Sequence, residues 1–166
     1  LSIVENPRSH VESIVIKGNT KTKEKVIRRE IPIETGDIFT QDKLATGMRN
    51  LYNLQYFNAI VPDFLQGSDE NLVDLVFTVE EHSTISMEVG VTFSGVTNSG
   101  DLPFAVNGRL TDSNIRGTGR SASVSTTLSS DQQSVGLSLD QNWLFDKPIS
   151  SSVYVDFSHS KENALR

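Results

Sequence analysis

The sequence predicts two structural units in series: a charged α+β unit of order β-α-α-β-β, then a run of antiparallel strands. Three observations predict this. Composition shifts near His82: residues 1–82 carry 22 charged side chains and ten Ser or Thr, whereas residues 83–166 carry 14 and 24. Apolar residues before the shift mix helical and strand spacing; those after it alternate strictly at period two. Turn residues punctuate the second part at regular intervals, which suits short strands joined as hairpins.

Length and charge narrow the field. A chain of 166 residues can bury about 70% of its unfolded surface, so its fold requires neither staples nor metals. No cysteine is present, which excludes disulfide scaffolds, thiolate zinc sites and cysteine nucleophiles. The net charge of −6 argues against nucleic acid, because affinity for phosphate backbones comes from clustered Lys and Arg. No apolar run approaches the roughly 20 residues of a membrane-spanning helix. The chain opens at Leu1 without an initiator Met or a signal-peptide pattern, and is expected to be a segment of something longer.

In the first unit, the β-branched run Val11–Lys17 is a strand closed by Gly18-Asn19. Thr22 is expected to cap a short helix carrying Val26 and Ile27, which Pro32 ends. Thr40 is expected to cap a second helix with Asp42 in its first turn. There Leu44, Met48, Leu51 and Tyr52 recur at i, i+4, i+7 and i+8 as one apolar stripe. Gly47 inside that helix costs up to about 1 kcal/mol relative to Ala, so a close neighbour is expected there. The strands Asn58–Leu65 and Leu72–Val79 follow, joined by Gln66–Asp69. Pro62 lacks the N–H that a central strand donates, which places Asn58–Leu65 at a sheet edge.

In the second unit, parity carries the argument. Ile85, Met87, Val89, Val91 and Phe93 are odd; Phe104, Val106, Leu110, Ala122, Val124 and Leu128 are even; Val135, Leu137, Leu139, Val153, Val155 and Phe157 are odd. Ser, Thr, Asn, Arg, Glu and Asp fill the positions between. Such strands need apolar surroundings on one side only, and a length of about nine residues suits a tilted strand crossing a bilayer. The turns are expected at Ser94–Leu102, Asn114–Gly119, Ser129–Ser134 and Trp143–Pro148. Trp143 and Phe145 cluster beside the last turn, where interfacial aromatics of a membrane barrel would sit.

Catalytic chemistry finds little footing. His10, His82 and His159 stand apart with no partner at metal-ligand spacing. Glu80 and Glu81 are adjacent in a strand and point to opposite faces, so they cannot flank one bond. Gly117-Thr-Gly119 between Arg116 and Arg120 lacks the Lys-Ser/Thr of a phosphate-binding loop and reads as a tight turn. The expectation is no enzyme, no catalytic residue, no metal and no cofactor.

The residues do carry a family likeness. Val15-Ile-Lys-Gly-Asn-Thr20, Gly36-Asp-Ile-Phe39, Leu51-Tyr-Asn-Leu-Gln-Tyr-Phe57 and Leu75-Val-Phe-Thr-Val-Glu80 resemble a POTRA (polypeptide-transport-associated) domain. Asp112-Ser-Asn-Ile-Arg-Gly-Thr-Gly119 and Trp143-Leu-Phe-Asp-Lys-Pro148 resemble the first barrel turns of BamA-type outer-membrane assembly factors. The resemblance implies a linker at 1–9, a POTRA domain at 10–82 and, at 83–166, about five opening strands of a sixteen-stranded outer-membrane β-barrel. It further implies a role in β-barrel assembly and insertion, with the POTRA domain in the periplasm and the strands in the outer membrane. The implied partners are unfolded outer-membrane protein clients, accessory proteins of an assembly complex, and outer-membrane lipid.

An unpaired strand displays N–H and C=O groups that can pair with any extended peptide, largely regardless of sequence. Two such edges are candidate client sites. One is the barrel strand with Ile85, Met87, Val89, Gly90, Val91 and Phe93, which the resemblance makes a lateral gate; Gly90 packs nothing and either loosens the strand or bends the wall. The other is the POTRA edge with Asn58, Ile60 and Phe64, which Pro62 equally protects from adventitious pairing. Two alternatives stand beside this reading: a protein-translocating pore of the two-partner-secretion type, and a soluble module whose Ser/Thr-rich sheet is half of a β-sandwich.

Overall fold

In the computed structural model, residues 9–93, 104–129 and 132–160 are described, and they form two units. The turn Ser94–Leu102 expected above lies outside the described residues.

Among the described residues, the first unit spans residues 9–83, with Arg116–Thr118 grouped with it. Its elements are β1 (His10–Lys17), α1 (Glu24–Arg28), α2 (Gln41–Asn53), β2 (Phe57–Gln66) and β3 (Leu72–Glu81). The sheet order is β1-β3-β2, with β1 parallel and β2 antiparallel to β3. β3 therefore lies in the centre, and its Leu75, Phe77 and Val79 form the floor of a core with Val11, Ile27, Ile33, Leu51, Phe57 and Ile60. β2 is an edge strand, as its proline requires: Pro62 faces Phe77 across the one ladder that β2 makes.

Thr40 caps α2, its Oγ1 accepting the Lys43 amide at 3.3 Å. Leu51 is fully buried, and Leu44 and Met48 pack against the core beside it. Tyr52 departs from the expected stripe. It is 48% exposed and only its hydroxyl reaches back, donating to the Ile60 carbonyl at 3.5 Å. At i+8 from Leu44 it has rotated about 80° past the stripe's start. Gly47 does meet a close neighbour: a Cβ there would lie 3.3 Å from Pro32 Cδ.

The start of α1 differs from expectation too. Its N-cap is Lys23, which makes no side-chain cap bond. Thr22 is instead buried, and its amide donates to the Glu81 carboxylate at 2.7 Å. A long-range acceptor has displaced the local capping role, and the helix begins one residue later.

The second unit holds β4 (Ile85–Phe93), β5 (Phe104–Asp112), β6 (Arg120–Leu128), β7 (Gln132–Gln141) and β8 (Ser151–Ser160) in one antiparallel sheet of order β4-β5-β6-β7-β8. β7 begins at Gln132, so the turn expected over Ser129–Ser134 is shorter. Ser129 N donates to Gln132 O at 2.8 Å, and its hydroxyl accepts the Gln132 amide at 2.9 Å. The Asn114–Gly119 turn is tight as expected, with Gly117 and Gly119 at φ of 70° and 71°, a region that glycine enters without a steric penalty.

Candidate functional site

The register of the five-stranded sheet turns sequence parity into two chemically distinct faces. Met87, Leu110, Val124, Leu137 and Val155 are consecutive cross-strand partners, one apolar row over all five strands. The next row, Glu88, Arg109, Ser125, Gly136 and Asp156, contains no large apolar residue. A slip of one residue at any ladder would send a charge into the apolar face. All five members of the apolar row are exposed, Met87 at 75% and Val155 at 42%. No second sheet covers this face among the described residues.

The opposite face is a polar surface knit by short bonds. The hydroxyls of Ser123 and Ser138 lie 2.8 Å apart, Ser152 donates to Asp140 at 2.5 Å, and Tyr154 donates to Asp156 at 3.2 Å. Two glycines make room on it. A Cβ on Gly136 would lie 2.7 Å from Ser125 Oγ and 2.8 Å from the Tyr154 hydroxyl oxygen. A Cβ on Gly90 would lie 2.5 Å from Asn107 Oδ1. Gly90 is therefore not an empty place in its strand, because the Asn107 side chain of the paired strand occupies the space.

β4 is the edge that carries the candidate client residues. It pairs with β5 from Ile85↔Asp112 to Phe93↔Phe104 and has no second neighbour among the described residues. Ile85, Met87, Val89, Val91 and Phe93 all expose their side chains on the apolar face. The POTRA edge is more varied. Asn58 is exposed where the β2–β3 register shifts between Phe57 and Ala59, Ile60 is 4% exposed in the core, and Phe64 packs edge-on against Phe39 with ring centroids 5.2 Å apart. Ile60 thus offers a partner only its backbone.

The two turn aromatics part company. Leu144 and Lys147 exchange backbone bonds at 3.1 Å around Phe145 and Asp146, whose φ values are 52° and 59°. This is the positive-φ geometry of a type I′ hairpin. Phe145 is 87% exposed at its tip, while Trp143 is half-buried with its carbonyl accepting from the Gln141 side-chain amide.

Glu81 was weighed in the sequence only as half of an acidic pair, and its place in the structure is different. Its Oε2 accepts from the Thr20 amide, the Thr20 hydroxyl and the Lys21 amide at 2.6–2.7 Å, and its Oε1 from the Thr22 amide. Burial alone would raise its pKa, but the bonds from Thr20, Thr22 and Lys21 outweigh that and hold it at about 2. Sequence could have hinted at this only through the run of amides that follows Gly18-Asn19. Asp37 is likewise held below the usual carboxylate range, first by its bond from Lys43 Nζ at 2.7 Å and then by the Glu34 amide.

Comparison with known proteins follows these two units. The POTRA family model, described as "Surface antigen variable number repeat", matches residues 9–82. A Treponema pallidum protein bearing the name of an outer membrane protein assembly factor is 40% identical over 96% of this chain. The outer membrane protein assembly factor BamA of Nitratidesulfovibrio vulgaris is 29% identical over 80%. The chain spans only 19% and 16% of these two relatives. Among solved structures, BamA from Haemophilus ducreyi lacking POTRA domains 1–3 superimposes with a TM-score of 0.85 at 19% identity. That match covers 96% of this chain and 29% of the other. Residues 9–82 are a POTRA domain, and along nearly its whole length the chain is similar to BamA-type outer-membrane assembly factors.

Proposed function

We propose that this chain serves the assembly and insertion of β-barrel proteins in an outer membrane. In this reading the POTRA domain lies in the periplasm and docks accessory proteins of an assembly complex, and β4–β8 form the opening wall of a larger membrane barrel. β4 is its working edge, a template on which unfolded outer-membrane clients add their strands. The chain acts by backbone pairing and not by catalysis. The single observation that carries the reading is the exposed apolar row that runs from Met87 to Val155 across all five strands. Lipid satisfies such a face, and the backbone groups of a strand such as β4 can pair with an added strand. The names and the shared architecture of the relatives support it further. The POTRA edge at Asn58, Ile60 and Phe64 is a second pairing site in the same scheme, and Phe145 at its hairpin tip anchors the sheet at the membrane interface.

Photo-crosslinkers placed along β4 of the full-length protein in cells test this reading. Adducts with nascent outer-membrane proteins are expected from β4 and not from the middle strand β6. Adducts confined to lipid, or spread equally over β4 and β6, would overturn the template role. Spin labels at Met87 and Val89 should report oxygen access, and labels at Ser86 and Glu88 water access. Equal water access at both parities would overturn the membrane placement.

A further inference from the structure

β4 is held very differently at its two ends. At its base, Thr84 is 7% exposed and Asn114 is fully buried. The Thr84 hydroxyl donates to Asp112 Oδ1 at 2.6 Å, and the Asn114 amide donates to the same oxygen at 3.0 Å. The Thr84 carbonyl accepts the Ser113 amide at 3.0 Å and the Ser113 hydroxyl at 3.2 Å. The Asn114 side-chain oxygen accepts the Gly119 amide at 2.8 Å. Three bonds therefore tie Thr84, the residue before β4, to Asp112 and Ser113, and two more brace the β5–β6 turn itself.

Asp112 makes the arrangement more telling. It pairs with Ile85 and so continues the parity of the apolar face, where a carboxylate is out of place. Its bonds from Thr84 and Asn114 explain why it is there, since a carboxylate away from water must be hydrogen-bonded.

From Ser86 onward this support stops. Among the described residues, no side chain from Ser86 to Phe93 makes a hydrogen bond or ion pair. Phe93 at the far end is 78% exposed. A strand frays from whichever end has less holding it.

We infer that Thr84, Asp112 and Asn114 form the fixed base of β4, so that this edge opens from Phe93 toward Ile85 and takes up an added strand in that order. The three are positioning residues: they touch no client but decide which part of the edge can separate. This rests on the reading of β4 as the template strand.

Hydrogen exchange of the full-length protein in liposomes, resolved along β4 by mass spectrometry, tests it. In the wild type, amides of Ile85–Met87 are expected to exchange at least tenfold more slowly than those of Val91–Phe93. Thr84→Val removes one hydroxyl at nearly constant volume, and Asn114→Ala removes the turn's buried acceptor. Each should speed exchange at Ile85–Met87 about tenfold or more and leave Val91–Phe93 unchanged. Uniform protection along β4, or a gradient unaltered in Thr84→Val, would overturn the fixed base. Assembly of an outer-membrane client in the same liposomes separates the two readings. A gradient that stands while wild-type liposomes assemble no client overturns the template function and leaves the fixed base in place.

Discussion

The carboxylate of Glu81, the last residue of β3, accepts the backbone amide of Thr22 at 2.7 Å, joining positions 59 residues apart in sequence. With the Thr20 and Lys21 amides on its other oxygen, Glu81 holds the whole turn that leads into α1. These amides lie ahead of α1, which starts at Glu24, so no helix carbonyl accepts them and the Glu81 carboxylate does.

Glu81→Gln should therefore lower stability by about 1–2 kcal/mol, near the low end for bonds to a charged group because the site is partly open to solvent. Glu80→Gln, on the exposed side of the same strand, should change it by less than about 0.5 kcal/mol. Urea denaturation of both variants checks the pair. The pH dependence follows from the sign of the shift. The folded pKa of about 2 lies below the ordinary 4.5, so the contribution is complete above about pH 5 and fades as pH falls toward 2. Glu81→Gln should flatten that part of the stability profile.

Leu51→Ala should cost about 2–5 kcal/mol, since it opens a cavity beneath α2 at a fully buried position. Tyr52→Ala should cost under about 1 kcal/mol, because half of its side chain already faces water. Equal losses in chemical denaturation would mean that the helix presents a different face to the sheet.

Gly136→Ala should destabilise the strand unit by about 1–3 kcal/mol, as the new methyl group meets Ser125 and the Tyr154 ring. Tyr154→Phe removes only the hydroxyl and should relieve part of that loss. A double-mutant cycle measured by unfolding in liposomes is expected to give a coupling of at least about 0.5 kcal/mol. Strict additivity would show that Tyr154 does not lie over Gly136.

Thr40→Ala should cost about 0.5–1 kcal/mol by freeing the Lys43 amide at the start of α2. Thr40→Ser should retain most of it. Thermal unfolding of the two variants distinguishes a capping role from simple packing of the Thr methyl group.

By itself, the sequence determined whatever depends on local chemistry and period. Thr40 as a cap, Pro62 as an edge marker and the parity of five strands are all properties of short windows, and each appears in the structure at its expected place, whereas Pro32 is not the helix stop, since α1 already ends at Arg28. Those windows also carried the family likeness. Tertiary structure decided whatever depends on a partner far along the chain. Thr22 lost its capping role to Glu81, Tyr52 stayed half-exposed with its hydroxyl on the Ile60 carbonyl, and Gly90 proved to make room for Asn107. The base of β4 belongs to the same group: Thr84 and Asp112 are 28 residues apart, and only the β4–β5 register brings hydroxyl and carboxylate together. The physical reason is common to these cases. Period and propensity are set by neighbours in the chain, whereas a buried polar group binds whichever partner the fold delivers, and no short window of sequence contains that partner.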